Sequence, residues 1–326
     1  MSKIQVNNIE ALNNAMDLAL ERDQNVVLYG QDAGFEGGVF RATKGLQQKY
    51  GSERVWDCPI AENSMAGIGV GAAIGGLKPI VEIQFSGFSF PAMFQIFVHA
   101  ARIRNRSRGV YTAPLVVRMP MGGGIKALEH HSETLEAIYA QIAGLKTVMP
   151  SNPYDTKGLF LAAIESPDPV IFFEPKKLYR AFRQEIPGDY YTVPIGEANL
   201  ISEGSELTIV SYGPTMFDLI NLVYSGELKD KGIELIDLRT ISPWDKQTVF
   251  NSVKKTGRLL VVTEAVKSFT TSAEIITSVT EELFTYLKKA PQRVTGFDIV
   301  VPLARGEKYQ FEINARVIDA VNQLLK

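Results

Sequence analysis

Cysteine is almost missing from this chain of 326 residues. Cys58 stands alone, so no internal disulfide can form and no cysteine cluster can hold zinc. Excess charge of one sign is also missing: 34 Lys and Arg face 36 Asp and Glu, for a formal net charge of -2. No broad field draws such a chain onto nucleic acid or an anionic membrane, and neither partner is expected. Long apolar runs are absent as well. The longest weakly polar stretch, 65–77, is rich in Gly and stops at Lys78, short of the ~18 residues that a membrane span needs. The residues around Ile4 and Val6 lack the charged segment and apolar run of a secretory leader. The expected setting is a reducing one, cytoplasm or an organelle matrix, and not the cell exterior. There is no short repeat and no low-complexity tract.

What is present is ordinary globular composition, 45% hydrophobic and 21% charged, and at roughly 150 residues per domain the length suggests two domains. Ile9, Leu12, Met16 and Ala19 recur at helical spacing, and 25–29 then forms a short apolar strand closed by Gly30. The alternation continues with helix 39–50, strand 54–57, a small-residue helix 61–76, strand 79–85, helix 90–105 and strand 114–119. Helix 132–143, strand 146–149, helix 154–165 and strand 170–173 follow. Strands this apolar, interleaved with helices, predict a parallel sheet covered on both faces. Pro175, Pro187, Gly188 and Pro194 fall in an aperiodic stretch, 174–206, where the inter-domain connection is expected. A second series then predicts a smaller α/β domain: strands 207–212, 233–238, 258–263 and 293–297 with helices 216–228, 245–255, 272–288 and 313–325. The domains are placed at 1–185 and 186–326.

Several segments are candidates for chemistry. Pro59-Ile60-Ala61-Glu62 lies at a strand-to-helix junction, the ligand-binding end of such sheets, where Glu62 would point into a crevice. A first-turn acid also simply favours the positive end of a helix. Gly67-x-Gly69-x-x-Ala72 formally matches a dinucleotide fingerprint but sits inside the expected helix, where close packing explains the same glycines. Phe85, Phe88, Phe90, Phe94 and Phe97 could stack on a flat ring, although most such residues are core. His130 and His131 follow Gly122-Gly123-Gly124, a run able to form a loop over a site, and His carries protons near neutral pH. A hydrogen-bonding role at a helix start is the plainer alternative. With His99 these are the only histidines, and adjacent ones do not readily face one metal. Arg102, Arg104, Arg106 and Arg108 form a basic run; on helical phase only Arg102 and Arg106 share a face, which suits a structural or subunit contact.

Taken in order, a longer set of segments carries a resemblance. These are Gly30-Gln31-Asp32-Ala33-Gly34, Gly37-Gly38-Val39-Phe40-Arg41-Ala42-Thr43, Pro59-Ile60-Ala61-Glu62, Glu82-Ile83-Gln84-Phe85 and Arg118-Met119-Pro120 with the Gly triplet. His131-Ser132, Gly144-Leu145-Lys146, Pro153-Tyr154-Asp155, Leu178-Tyr179-Arg180, Asp237-Leu238-Arg239-Thr240 and Lys255-Thr256-Gly257-Arg258 complete it. Over nearly its whole length the chain resembles the β subunits of the pyruvate and branched-chain 2-oxo acid dehydrogenases, within the transketolase-like superfamily. The implied fold is α/β: a transketolase-like, parallel-sheet pyrimidine-binding domain followed by a smaller α/β C-terminal domain.

The resemblance implies an enzyme of the pyruvate type. It decarboxylates a 2-oxo acid on thiamine diphosphate and passes the two-carbon fragment to the lipoyl group of dihydrolipoyl acetyltransferase. Glu62 would hydrogen-bond the aminopyrimidine ring, favouring the tautomer that generates the nucleophilic carbon. That contact requires a carboxyl that keeps its proton, hence a buried one. Phe85 and Phe88 would pack against the ring, with Gln84, Ile60 and Ala61 beside it. Gln31 stands where many relatives carry Glu, and His131 and His130 would face the substrate. Main-chain oxygens of Leu115, Ala163, Ile164, Ser166 and Asp168 match a monovalent-cation site, typically for potassium; Ser166 and Asp168 replace an Asp and an Asn. The Gly-Asp-Gly segment with which thiamine enzymes hold Mg²⁺ and the diphosphate does not occur. That half of the site is therefore expected from an α subunit, in a heterotetramer with two copies of each chain. The branched-chain enzyme is the second reading, and a noncatalytic assembly subunit and a solitary dinucleotide-dependent reductase are readings from other classes.

Overall fold

The computed structural model describes residues 3–326. Its first strands are β1 (Lys3–Val6), β2 (Val26–Gly30), β3 (Val55–Asp57), β4 (Lys78–Glu82), β5 (Val116–Met121), β6 (Lys146–Val148) and β7 (Val170–Pro175). The others are β8 (Gln184–Pro187), β9 (Asn199–Ser202), β10 (Leu207–Ser211), β11 (Ile233–Asp237), β12 (Thr240–Ser242), β13 (Leu259–Val262) and β14 (Gln292–Val294). A seven-stranded sheet runs β12-β6-β7-β5-β4-β2-β3, and a five-stranded sheet runs β14-β13-β10-β11-β9. Every neighbouring pair is parallel except β12 on β6 and β9 on β11. The α/β class with a large and a small parallel sheet is as expected.

Side chains leave a strand on alternate faces, so a strand buried on both sides feeds two cores. Leu28, Ile80, Val116 and Phe172 enter one core, while their neighbours Tyr29, Val81, Val117 and Phe173 enter the other. The second of these also takes in Val210, Ile236 and Val261 of the small sheet, so one apolar core joins the two units. No helix among the described residues is long and apolar enough to cross a membrane.

Local chemistry accounts for the helix starts. Asn7 and Glu10 form a reciprocal capping box on Asn8–Arg22, and Asn152 caps Pro153–Glu165, where Pro occupies the first turn that needs no N–H.

Two expected helices end early, 216–228 at Tyr224 and 272–288 at Leu283, and three others are broken or cut to a short piece. Residues 39–50 are helical only over Leu46–Tyr50, because Gly37, Gly38, Arg41 and Gly45 adopt positive φ. The stretch 90–105 divides into 3-10 turns at Ser86–Ala92 and Ala100–Arg102, a π-helical Phe94–His99 and the short α-helix Ile103–Arg106. Pro91 cannot donate to the preceding turn there. Of 132–143 only Glu136–Ala140 is helical: the Glu133 carbonyl is taken by Gly122 N–H and by Ser86 Oγ.

The connecting stretch 174–206 is not structureless. β8 pairs antiparallel with β1, β9 joins the small sheet, and residues 188–198 between them carry neither strand nor helix. β12, absent from the sequence reading, lies after β11 yet adds to the large sheet. Placing the domain division at 185 and 186, inside β8, is kept as a proposal.

Candidate active site

In the large sheet the residues of interest follow the carboxyl ends of successive parallel strands: Gln31 after β2, Glu62 after β3, Gln84 and Phe85 after β4, His131 after β5 and Lys176 after β7. The crevice outside the carboxyl ends is where open parallel sheets bind ligands.

Phe85 is only 7% exposed and forms the centre of a ring cluster. His131 meets it edge to face with centroids 4.6 Å apart, Phe88 at 5.4 Å and Phe40 at 5.5 Å. His131 also lies 5.0 Å from Phe88, which in turn lies 5.3 Å from the ring of His130. The Nδ1 atom of His131 is buried without a hydrogen-bond partner. Burial, followed by the neighbouring His130 and Lys176, holds this imidazole below its usual pKa. Gln84 reaches Gln31 through an Nε2 donor 3.3 Å from the Gln31 carbonyl.

Glu62 opens the helix Glu62–Ile74 and is half-buried. Its carboxylate makes no hydrogen bond or ion pair among the described residues, whereas its neighbour Asn63 accepts from Gln95 Nε2 at 3.0 Å. The expectation of full burial is corrected here: Ile60, two residues earlier, is 72% exposed, so this rim of the crevice is open in the single chain.

Beneath the ring cluster lies a buried charge group that sequence reasoning passed over. Arg118 on β5 donates from Nε and Nη2 to the carboxylate of Glu174 at 2.6 and 2.7 Å, and from Nη1 to Glu82 on β4. Tyr179 Oη donates to the same Glu174 at 2.5 Å. One guanidinium faces two carboxylates, and the excess falls on Glu82, which burial pushes above the usual carboxylate range. A signal was present: Arg118, Glu82 and Glu174 interrupt otherwise apolar buried strands, where an ionisable side chain must find a partner.

A second set of acids fastens the loop 122–134 to the small-sheet unit. Glu264 accepts from Gly123 N–H at 3.1 Å and from Thr134 Oγ1 at 3.2 Å, and Glu307 accepts from Gly124 N–H. Tyr212 Oη donates to Glu136 at 2.9 Å, and burial pushes Glu136 up to about 7. The histidine loop is thus held from both units.

The remaining candidates divide. Phe90 is exposed but stacks on the His130 ring at 6.1 Å between centroids, whereas Phe94 packs on His99 at 5.3 Å and Phe97 packs edge to face on Tyr139 at 5.2 Å. Gly69 belongs to helix packing, since a Cβ there would stand 2.9 Å from Val81 and 3.0 Å from Tyr29 Oη. That removes the dinucleotide-fingerprint reading. Arg104 pairs with Asp168 at 2.6 Å, a structural contact, in a stretch whose mixed helix types undo the assumed phase. Leu115, Ala163, Ile164, Ser166 and Asp168 lie at the amino ends of β5 and β7, opposite the crevice. There Leu115 O accepts from Val170 N–H at 2.9 Å, Ala163 O from Ser166 N–H at 3.2 Å and Asp168 O from Ser166 Oγ at 2.8 Å. Lys146 Nζ lies 2.9 Å from Ser166 Oγ. Among the described residues no group of three or more His, Cys, Asp or Glu is placed to hold a metal ion.

Comparison with known proteins adds independent findings. A family described as transketolase, pyrimidine binding domain matches residues 4–181, and one described as transketolase, C-terminal domain matches residues 196–320. The chain is 89% identical, over 100% of both chains, to a pyruvate dehydrogenase E1 component subunit beta from Mycoplasma pneumoniae. It is 43% identical, over 98% of this chain and 94% of the other, to a 2-oxoisovalerate dehydrogenase subunit beta from Pseudomonas aeruginosa. A solved structure titled as a split gene transketolase, inactive beta4 tetramer, superposes with a TM-score of 0.78 over 98% of each chain at 18% identity, a likeness of fold alone.

Proposed function

Because the chain belongs to the transketolase-like family of pyruvate dehydrogenase E1 β subunits, we propose that its crevice is the pyrimidine-binding half of an active site completed by an α subunit. The reaction of this family member is the oxidative decarboxylation of pyruvate with reductive acetyl transfer to a lipoyl group. The observation that carries the reading of the site is the ring cluster of Phe85, Phe88 and His131 at the same sheet end as the unpaired carboxylate of Glu62.

These residues fit an aminopyrimidine: an apolar ring face, a carboxylate with no internal partner, and the orphaned Nδ1 of His131. Bound thiamine diphosphate supplies the nucleophilic carbon and the electron sink. Glu62 is placed to hydrogen-bond the ring nitrogen, and an incoming subunit would cover this open rim of the crevice. Phe85 and Phe88 orient the ring, with Ile60, Ala61, Gln84 and Gln31 forming the rim. His131, kept neutral by its surroundings, accepts and returns a proton at the substrate oxygen, and His130 borders the entrance. Mg²⁺ and the diphosphate are assigned to the α subunit, and the acyl group to dihydrolipoyl acetyltransferase. The proposed quaternary structure is two α and two β chains.

The proposal includes a potassium ion on the oxygens of Leu115, Ala163, Ile164, Ser166 and Asp168. It would share that place with the ammonium of Lys146 and so bind weakly. Raising KCl against a choline chloride control should increase thermal stability only at high concentration, and the absence of any difference removes the ion.

In the reconstituted tetramer, Glu62→Ala should lower decarboxylation by at least ~100-fold with assembly intact. Near-normal turnover would favour the assembly-subunit reading. The 43% identity to a 2-oxoisovalerate enzyme keeps the branched acid as the second reading. Turnover of pyruvate against 2-oxoisovalerate decides between them, and a preference for the branched acid rejects pyruvate.

A further inference from the structure

Lys176 is given no part in the proposed reaction, yet it is 3% exposed and sits directly behind His131. Its Nζ donates to the His131 carbonyl at 2.7 Å and lies 5.4 Å from the centroid of the Phe85 ring. A buried ammonium loses its hydration, and an apolar side chain would fill the same volume without that cost. A charge kept there does something else. We propose that Lys176 is a positioning residue, which ties the histidine loop to the carboxyl end of β7 and keeps a positive charge behind the His131 imidazole.

This inference rests on reading His131 as the substrate-facing group. The tie is short and rigid on the lysine side, because Lys176 directly follows β7 and begins the 3-10 turn Lys176–Leu178. On the other side the carbonyl belongs to the turn Glu129–His131, at the end of a loop with positive φ at Gly122, Gly124 and Lys126. Such a loop needs an anchor near the residue it presents. Glu264 and Glu307, from the small-sheet unit, face the ammonium and partly offset its burial, while the adjacent Lys177 is engaged by Asp218 at 2.5 Å. Around the imidazole stand His130 and Glu129 on its own turn and Lys176 from β7. Lys176 and His130 oppose protonation of the ring and Glu129 favours it. Burial brings Lys176 itself down to about 8, so its charge is lost within an accessible pH range.

The test uses the α and β holoenzyme with Lys176→Met, Lys176→Arg, His131→Ala and the Lys176→Met/His131→Ala double variant. Lys176→Met should lower kcat about tenfold, the worth of one buried charge-assisted hydrogen bond, with a smaller change in the KM for pyruvate. It should move the acid limb of kcat/KM to higher pH, because the imidazole then protonates more easily, and Lys176→Arg should restore that limb. In the His131→Ala background the methionine change should cost little further. A wild-type acid limb in Lys176→Met overturns the proposal, as does a full tenfold loss that persists without His131. Full activity of His131→Ala overturns the reading of the histidine, and this inference with it. Should Lys176→Met fail to fold, the alkaline side decides. Wild-type kcat must fall near pH 8 while Lys176→Arg stays level, and a wild-type profile flat to pH 9.5 refutes the role.

Discussion

The His131 imidazole and the Phe85 ring meet edge to face at 4.6 Å between centroids, and Phe85 also packs edge to face against Phe40 and Phe88. The histidine is therefore aimed by ring packing from β4 as well as by its own loop.

Phe85→Leu keeps most of the volume and loses the edge-to-face contact, worth about 1 kcal/mol. Turnover of pyruvate by the reconstituted enzyme should fall roughly fivefold, with the urea midpoint little changed. An unaltered rate would show that the ring does not orient the imidazole.

Gly87 is a tighter constraint. A Cβ at this position would stand 2.1 Å from the His130 carbonyl oxygen and 2.9 Å from Glu133 Oε2. Gly87→Ala must displace the histidine turn, and a shift near 1 Å at a reacting group can cost about 100-fold. A kcat within a factor of three of wild type would mean the turn moves freely.

The buried charges of β4, β5 and β7 should respond unequally. Arg118→Met leaves two facing carboxylates without a cation and should destabilise by about 3–5 kcal/mol. Glu82→Gln removes the carboxyl that burial already keeps protonated more readily, and should cost under about 1 kcal/mol. Equal shifts of the two urea unfolding midpoints would contradict this division.

Stability should decline as pH rises toward neutrality. Burial pushes Glu136 and Asp237 up to about 7 from ordinary values of 4.5 and 3.8, so between those limits the folded chain holds protons that the unfolded chain has released. Their contribution is complete below about 4 and lost as pH climbs through about 7. His131, whose pKa is lowered, works the opposite way over part of that window, while Asp23, Asp245 and Glu234, with depressed pKa values, lose their contributions in acid. Thermal scans should place the maximum near pH 5, and Glu136→Gln should flatten the fall to pH 7.5. A midpoint that rises from pH 5.5 to 7.5 would refute the assignment.

Much of the fold was legible along the chain. Val26–Gly30, Val116–Met121 and Val170–Pro175 are apolar runs bounded by turn residues, and a strand buried on both faces has little freedom to look otherwise. What failed was local helix in 39–50, 90–105 and 132–143. In those stretches glycines with positive φ, an internal proline and long-range hydrogen bonds outweighed apolar spacing.

The sequence by itself determined the order of the central parallel strands, though not the short strands β1, β8, β9 and β12, together with the strand-to-helix junction at Glu62 and the ordered segments that mark the family, because burial periodicity and turn chemistry are short-range properties. Tertiary structure alone decided that Phe85 and His131 meet, 46 positions apart along the chain. It alone set Arg118 between Glu82 and Glu174, and brought Lys176 beneath the His131 carbonyl. Those contacts depend on which parallel strands lie side by side, and spatial order in a sheet is set by the packing of the whole core.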